Sequence, residues 1–158
     1  MIDMISQDAA PAPATVAAQT PVDCPCVNTL LLTFQAQGRL SNLLAAESRA
    51  FDLTPSEALA LITLARDSSP VSGIARAVGI RPNGASVLVD RLKERKLVRR
   101  TRSRRDNRVV TVDLTDAGRE IAEALTKKAA TQMAFALTGL NDAQREQLVG
   151  MLRQVAVA

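Results

Sequence analysis

Half of the chain's lysine and arginine side chains lie in one window, residues 91–108. This window holds ten basic and two acidic residues, a net charge of +8, whereas the whole 158-residue chain carries +4. Such a local density of positive charge is typical of a surface that binds a polyanion, and nucleic acid is the default candidate. The sequence therefore predicts a nucleic-acid interface around this window.

Histidine, the commonest general base and the commonest metal ligand, is missing from the chain. The chain has no histidine, so Ser-His-Asp sites, Cys-His sites and histidine-containing zinc sites are excluded. Its two cysteines cannot close a four-cysteine zinc site, and the sequence contains no glycine-rich phosphate loop. We therefore expect no enzyme activity, no metal and no cofactor.

The two cysteines form a Cys24-Pro-Cys26 sequence just before the first predicted helix. Thiols near a helix N-terminus have a lowered pKa, because the helix dipole stabilises the thiolate, so the pair is a candidate redox sensor. The alternative is that both are small, partly buried residues of an N-terminal arm. A disulfide framework is not expected in a cytoplasmic protein.

The chain before these cysteines, residues 1–23, is expected to be a disordered tail. It is rich in Ala, Pro, Thr and Gln and has no apolar periodicity. It also lacks the basic and apolar regions of a secretory signal. No apolar stretch in the chain reaches the roughly 18 residues that a membrane span needs. These features predict a cytoplasmic location and no membrane contact.

Helical periodicity predicts a first helix over residues 27–50 and a second over residues 54–66. The second has a clear start, because Thr54 and Glu57 form a capping box and Pro55 suits the first helical position. Only 2% of the residues are aromatic, so the core must be aliphatic.

A helix-turn-helix pattern follows. Ser72 is predicted to cap a short helix over residues 73–78, Gly79 to form a left-handed turn, and Pro82 to open the next helix. The inner face of that next helix is expected to contain these five residues: Ala85, Val87, Leu88, Val89 and Leu92.

The hydrophobic period then changes from that of a helix to that of a strand. Residues 97–102 and 108–114 are strand-like, and in the second stretch Val110, Val112 and Leu114 alternate with the other side chains. The polar residues 103–107 between them predict a β-hairpin with a basic tip. A helix-turn-helix followed by a basic hairpin is a winged helix.

Two further helices complete the predicted fold, which is mainly α with a small β-wing. Thr115 is expected to cap a long helix that ends near Leu137, and Asn141 and Gln144 form a second capping box before the last helix. The winged helix-turn-helix DNA-binding domain is placed at residues 54–114. Residues 27–50 and 115–157 carry more apolar surface than this domain can cover, so we expect them to form the dimerisation helices.

The stretch from Leu97 to Gly118 resembles the multiple-antibiotic-resistance regulator (MarR) family. Its wing motif has Leu97-Val98, basic residues, Asp106-x-Arg108, a β-branched strand and then Leu114-Thr-x-x-Gly118. Upstream, residues 89–92 (Val-Asp-Arg-Leu) match the end of the family's recognition helix, and residues 53–56 (Leu-Thr-Pro-Ser) match the start of its second helix. In element order the resemblance covers residues 27–157.

This resemblance implies an obligate homodimer on a palindromic double-stranded DNA operator. It implies a repressor that a small-molecule effector or an oxidant releases. Three departures from the family pattern stand out. Lys96 occupies the usual position of a glycine, Val87 occupies a position where many members carry a polar or basic base-reading residue, and aromatic residues are scarce.

The resemblance assigns the candidate DNA-binding residues. Arg108 corresponds to the wing arginine that enters the minor groove, where a narrow A·T-rich groove attracts arginine, and Asp106 would orient it. Arg104 and Arg105 are candidate phosphate contacts. Arg91 either contacts phosphate or pairs with an acidic neighbour. The entrance of the recognition helix is expected to face DNA through four residues: Arg81, Asn83, Gly84 and Ser86. Val87, at a position where many family members carry a base-reading residue, is also counted among the candidate DNA-binding residues.

Two other functions remain open from the sequence. A nonspecific nucleoid-type or RNA-binding protein could use the same basic window, and its ratio of specific to nonspecific DNA affinity would distinguish it. A small thiol enzyme could use Cys24, and a thiol-disulfide exchange assay would detect it. Neither accounts for the wing motif.

Overall fold

The computed structural model describes residues 24–102 and 110–157, with side chains described up to residue 155. The expected disordered tail, residues 1–23, lies outside the described residues. So do the tip of the hairpin and the first two residues of its predicted second strand, residues 103–109. Within the described part, no helix is long and apolar enough to cross a membrane.

The structure is mainly α-helical with one antiparallel β-hairpin, as the sequence predicts. In chain order the elements are α1 (Pro25–Ser48), a 3₁₀ turn (Arg49–Phe51), α2 (Pro55–Arg66), α3 (Val71–Val78), α4 (Pro82–Glu94), β1 (Val98–Arg102), β2 (Val110–Leu114), α5 (Asp116–Ala136) and α6 (Asp142–Val157).

The chain divides into two compact units at Gly38, inside α1. The described part of the first unit is the N-terminal portion of α1. Its larger apolar side chains are mostly solvent-exposed, namely Leu30, Leu31, Leu32 and Phe34. This portion of the helix therefore has no hydrophobic core of its own.

The second unit, from Arg39 onward, contains an aliphatic core. Its centre is formed by fully buried side chains of α2, α3, α4, β2 and α5, among them Leu61, Ile74, Leu92, Val112 and Leu125. Burying a leucine or isoleucine of this kind contributes about 1.5–3 kcal/mol to folding. The helix-turn-helix, the wing and α5 therefore share one core, which fixes α4 relative to the hairpin.

Both predicted capping boxes are present. Thr54 and Glu57 bond reciprocally: the Thr54 N–H donates to Glu57 Oε2 at 2.8 Å, and the Glu57 N–H donates to Thr54 Oγ1 at 3.3 Å. Asn141 and Gln144 form the same pair of bonds before α6, both at 2.9 Å. These caps satisfy N–H groups that a helix N-terminus otherwise leaves unpaired.

The predicted Ser72 cap is wrong. Helix α3 begins at Val71, so Ser72 lies within its first turn and is exposed. The N-cap is Pro70, whose carbonyl accepts hydrogen bonds from Gly73 (2.9 Å) and Ile74 (3.1 Å). A proline side chain has no acceptor, so this helix begins without a side-chain cap.

The wing is a two-stranded sheet with a third, very short partner. Strands β1 and β2 pair from Val98↔Leu114 to Arg102↔Val110. Ser69, in the loop after α2, forms a bridge to Val112 through two backbone hydrogen bonds of 2.8 and 3.2 Å. This bridge was not predicted from the sequence. The predicted alternation fails at Val110, which is 50% exposed.

Candidate nucleic-acid interface

Helix α4 has one buried face and one exposed face. Four apolar residues, Ala85, Leu88, Val89 and Leu92, are buried in the shared core. Val87 was predicted to join them, and that prediction is wrong, because its side chain is 53% exposed. Arg81, Asn83, Gly84 and Arg91 are also exposed, while Ser86 is half-buried. The structure thus brings most of the predicted recognition residues to one surface.

The turn between α3 and α4 sets the direction of α4. Gly79 has φ 73°, a left-handed conformation that glycine adopts without steric cost. The next backbone N–H, that of Ile80, donates to the Ala75 carbonyl at 3.0 Å and closes the end of α3. The predicted left-handed turn at Gly79 is confirmed.

The entrance of α4 exposes a short stretch of backbone with small side chains. Pro82 occupies the first helical position, and the Ser86 hydroxyl donates to its carbonyl at 3.2 Å. A Cβ atom added at Gly84 would meet only the Ile80 Cδ1 atom, at 3.9 Å, so the fold has room for a larger residue there. Because Gly84 has no side chain, a partner can approach the backbone closely at this position.

The sequence left two roles open for Arg91, a phosphate contact or an ion pair with an acidic neighbour. Its acidic neighbour Asp90 forms an ion pair with Arg100 of β1, at 2.9 Å between Oδ1 and Nη2. Among the described residues no ion pair involves Arg91, and its side chain is exposed. The Asp90–Arg100 pair ties α4 to the hairpin and leaves Arg91 on the outer surface.

Arg95 has a role that the sequence did not reveal. Its guanidinium donates to the backbone carbonyls of Phe51, at 2.8 Å, and Asp52. Asp52 is a left-handed residue, φ 53°, at the end of the 3₁₀ turn. From the other side, the Lys128 ammonium lies 5.7 Å from the centre of the Phe51 ring. Arg95 therefore attaches the end of α4 to the segment that joins α1 to α2.

The hairpin adds positive charge beside α4. Arg99, Arg100 and Arg102 of β1 are all exposed. The predicted wing-tip residues Arg104, Arg105, Asp106 and Arg108 lie outside the described residues. The described surface already combines a helix with a free polar face and a strand with exposed arginines, which is an arrangement suited to a nucleic-acid duplex.

Comparisons with known proteins identify the family. The sequence model of the MarR family matches residues 51–108, from the 3₁₀ turn into the wing. The uncharacterized HTH-type transcriptional regulator YhbI of Bacillus subtilis is 31% identical over 107 residues, 67% of this chain and 67% of that protein. The chain belongs to the MarR family. It is therefore a transcriptional regulator and not an enzyme.

Two further proteins resemble this MarR-family chain. The HTH-type transcriptional repressor MdtR of Bacillus subtilis is 34% identical over 67 residues, which cover 42% of this chain and 43% of MdtR, less than half of its length. The structure of BpsR from Bordetella bronchiseptica, whose DNA binding is regulated by 6-hydroxynicotinic acid, is 25% identical. It superposes with a TM-score of 0.65 and covers 82% of this chain and 98% of that one. MarR-family regulators bind DNA as dimers, and some bind small-molecule effectors.

The MarR motif Leu-Thr-x-x-Gly has a clear structural basis in this chain. The Thr115 hydroxyl accepts the Gly118 N–H at 3.1 Å and donates to the Lys96 carbonyl at 2.7 Å. A Cβ atom added at Gly118 would overlap the Leu97 carbonyl group. The threonine and glycine therefore hold the first turn of α5 against the backbone that enters β1.

Lys96 occupies the usual glycine position of the family and adopts the backbone conformation that glycine favours. Its φ is 59°, in the left-handed region, where a Cβ atom crowds the following carbonyl. The departure noted in the sequence is thus a strained residue at the junction of α4 and β1. The C-terminal end of α4 is nevertheless capped, because the Lys96 N–H donates to the Lys93 carbonyl at 2.9 Å.

Cys24 and Cys26 lie at the start of α1, as free thiols. The Cys24 carbonyl accepts hydrogen bonds from Val27 (2.9 Å) and Asn28 (3.1 Å), so Cys24 is the residue just outside the helix. A hydrogen bond from the Cys26 backbone N–H, followed by one from the Cys26 thiol, lowers the pKa of the Cys24 thiol. The same thiol–thiol hydrogen bond raises the pKa of Cys26.

A groove of about 600 Å³ runs along the surface between α2 and α5. Its apolar residues are Ile62, Ala65 and Ala130, and its charged residues are Arg66, Glu123 and Lys127. It lies within the second unit and away from the exposed face of α4. The lining therefore combines apolar side chains with two basic residues and one acidic residue.

Proposed function

We propose that this chain is a sequence-specific DNA-binding repressor that acts as a homodimer on a palindromic double-stranded operator. The observation that carries the proposal is the exposed face of α4. The opposite face of α4 is buried in the core. The exposed side contains Arg81, Asn83, Gly84, Val87 and Arg91. The major groove of B-DNA admits one α-helix, and arginine and asparagine side chains can bond base edges there.

The wing completes this interface. Arg99 and Arg102 on β1 supply exposed positive charge for phosphate contacts, with Arg104 and Arg105 beyond them. Arg108, oriented by Asp106, would enter the minor groove beside the half-site. In this arrangement residues 54–114 bind DNA, and Ser86 lines the entrance of α4.

The homodimer is supported by unpartnered apolar side chains. In the first unit Leu30 and Phe34 are exposed, and in the second unit three residues of α6, Val149, Leu152 and Val155, are exposed as well. Several large apolar side chains exposed on one helix are typical of a protein–protein interface. We assign residues 27–50 and 115–157 to dimerisation, and expect sedimentation at micromolar concentration to give twice 16.9 kDa. A clean monomer would contradict this assignment.

Release of DNA is proposed to follow either of two signals. The first is a small organic anion in the groove between α2 and α5, near Arg66 and Lys127. BpsR, which responds to 6-hydroxynicotinic acid, is a precedent within similar folds. The second is oxidation of Cys24, whose lowered pKa increases the reactive thiolate fraction.

A chain of contacts offers a route from the groove to the recognition helix. Lys127 lines the groove, and its neighbour Lys128 pairs with Glu47 at 3.2 Å and lies over the Phe51 ring. The Phe51 carbonyl accepts a hydrogen bond from Arg95 at the end of α4. A ligand that moves α5 would therefore shift the attachment of α4, and hence the spacing of the two recognition helices.

The test is a competition assay with fluorescently labelled operator and random duplex DNA at several salt concentrations. We expect the wild type to prefer the operator by about a thousandfold or more. We also expect a log–log salt slope on the order of −5 or steeper for the dimer. Asn83→Ala should reduce the operator preference, whereas Arg102→Ala should weaken both DNAs equally, because a phosphate contact carries no base information.

Arg153→Ala serves as the charge-matched control. Arg153 is exposed on α6, outside the proposed DNA-binding domain but within the proposed dimerisation region. Operator binding is therefore compared at a protein concentration at which sedimentation shows the variant to be fully dimeric, and it should then equal that of the wild type. Equal affinity of the wild type for operator and random DNA would contradict sequence-specific binding and would instead indicate a nonspecific nucleic-acid-binding protein.

A further inference from the structure

Val87 is the one apolar side chain in the middle of the exposed face of α4. It lies one helical turn after Asn83 and one turn before Arg91, and all three are exposed. Residues spaced by four positions are neighbours on a helix surface, so the three side chains form one row along it. Polar and charged side chains therefore flank an isolated valine.

The fold does not account for this valine. Its side chain is 53% exposed and is absent from the hydrophobic core, to which its neighbours Leu88 and Val89 belong. A β-branched residue also has a lower helix propensity than arginine, lysine, glutamine or glutamate, because its χ1 rotation is restricted. Neither core packing nor helix formation requires valine at this position, so its apolar surface is available to a partner.

We propose that Val87 contacts the 5-methyl group of one thymine in each operator half-site and so determines the base at that position. This inference rests on the proposed function, because it requires α4 in the major groove. The thymine methyl is the one apolar group that the base pairs present there, and apolar side chains contact it. Valine can neither donate nor accept a hydrogen bond. The polar base edges of a G·C pair at this position would therefore lose their bound water without gaining a hydrogen-bond partner from the protein.

The probe is an operator in which single thymines are replaced by 2′-deoxyuridine, which lacks only the 5-methyl group. Burial of one methyl-sized group corresponds to about a fourfold change in affinity. We expect the wild type to bind about fourfold more weakly per half-site when one particular thymine is replaced. The other replacements should have little effect.

Two variants assign the effect to Val87. Val87→Ser removes both methyl groups and should bind the thymine and deoxyuridine operators equally, whereas Val87→Ile keeps an apolar side chain and should still discriminate. Because the side chain lies outside the core, both variants should unfold at nearly the wild-type temperature, which is measured alongside. Sequences selected by Val87→Ser from a random pool should lose the thymine preference at that one position.

Two results would overturn the inference alone: wild-type protein that tolerates deoxyuridine at every position of its operator, or Val87→Ser protein that still prefers thymine at the same position. A wild type that selects no sequence from the pool would overturn the proposed function together with the inference.

Discussion

Replacing Lys96 by glycine is expected to stabilise the protein. Lys96 has φ 59°, and a residue with a Cβ atom in this left-handed region costs about 1–2 kcal/mol. Glycine removes that cost but loses more backbone entropy on folding, by roughly 0.5–1 kcal/mol. The balance is a gain of about 0.5–1 kcal/mol in the free energy of unfolding, located at the junction of α4 and β1.

Matched variants separate backbone strain from the loss of charge. Lys96→Ala removes the ammonium group but keeps the Cβ atom, so it should not be stabilised. Lys96→Asn should lie between alanine and glycine, because asparagine tolerates the left-handed region better than most residues. The side chain is exposed, so none of the three substitutions disturbs the core.

The measurement is urea unfolding of the four proteins at one fixed protein concentration, since the stability of a dimer depends on concentration. The expected order of unfolding free energy is glycine highest, then asparagine, then the wild type and alanine. Glycine at or below the wild type, or glycine and alanine equally stabilised, would refute the argument from backbone strain.

Two further substitutions and one labelling experiment test other parts of the structure. Gly118→Ala should destabilise the fold by several kcal/mol, because its Cβ atom would overlap the Leu97 carbonyl group; a thermal scan that matches the wild type would contradict this. Arg95→Gln should lower the free energy of unfolding by about 0.5–1.5 kcal/mol, because its hydrogen bonds to the segment before α2 are lost. It should also weaken operator binding more than Lys93→Gln does. Equal loss of operator affinity in the two variants would contradict a positioning role for Arg95. Iodoacetamide at pH 7 should alkylate Cys24 faster than Cys26, because hydrogen bonds lower the pKa of Cys24 and raise that of Cys26. Peptide mapping by mass spectrometry measures both rates, and the reverse order would exclude Cys24 as the reactive thiol.

The parts of the fold that depend on neighbouring residues were predictable from the sequence. The capping pairs Thr54–Glu57 and Asn141–Gln144, and the turn at Gly79, involve residues close together in the chain. The winged-helix arrangement was predictable too, because the change from helical to strand periodicity follows directly after the helix-turn-helix. The caps and the turn depend on residues close together in the chain, and the winged helix was recognised from the order of its elements.

The features that the sequence did not reveal depend on contacts between distant residues. Arg95 bonds to carbonyls more than forty positions away, and Ser69 pairs with Val112 across the fold. Ser72 was a good cap by residue type, yet α3 begins before it. Val87 was assigned to the inner face because it is apolar. Its burial depends instead on which side of α4 packs against the core, and that side contains Leu88, Val89 and Leu92.

The candidate DNA-binding surface was predicted mainly from the family resemblance and the charge window. The structure shows which of these residues lie together on the exposed face of α4. It shows Arg91 exposed and in no ion pair among the described residues, whereas Asp90 of the same helix pairs with Arg100 of β1. The exposed face of α4 and the arginines of β1 beside it therefore form the candidate DNA-binding surface.

Selection of bound duplexes from a random DNA pool tests this account most directly. With the wild-type protein we predict enrichment of an inverted repeat, with half-site centres about 34–36 Å apart or a multiple of that distance, as two recognition helices of a symmetric dimer require. Asn83→Ala should relax the preferred bases within each half-site and leave the spacing unchanged. Recovery of unrelated sequences with no common repeat would contradict the account.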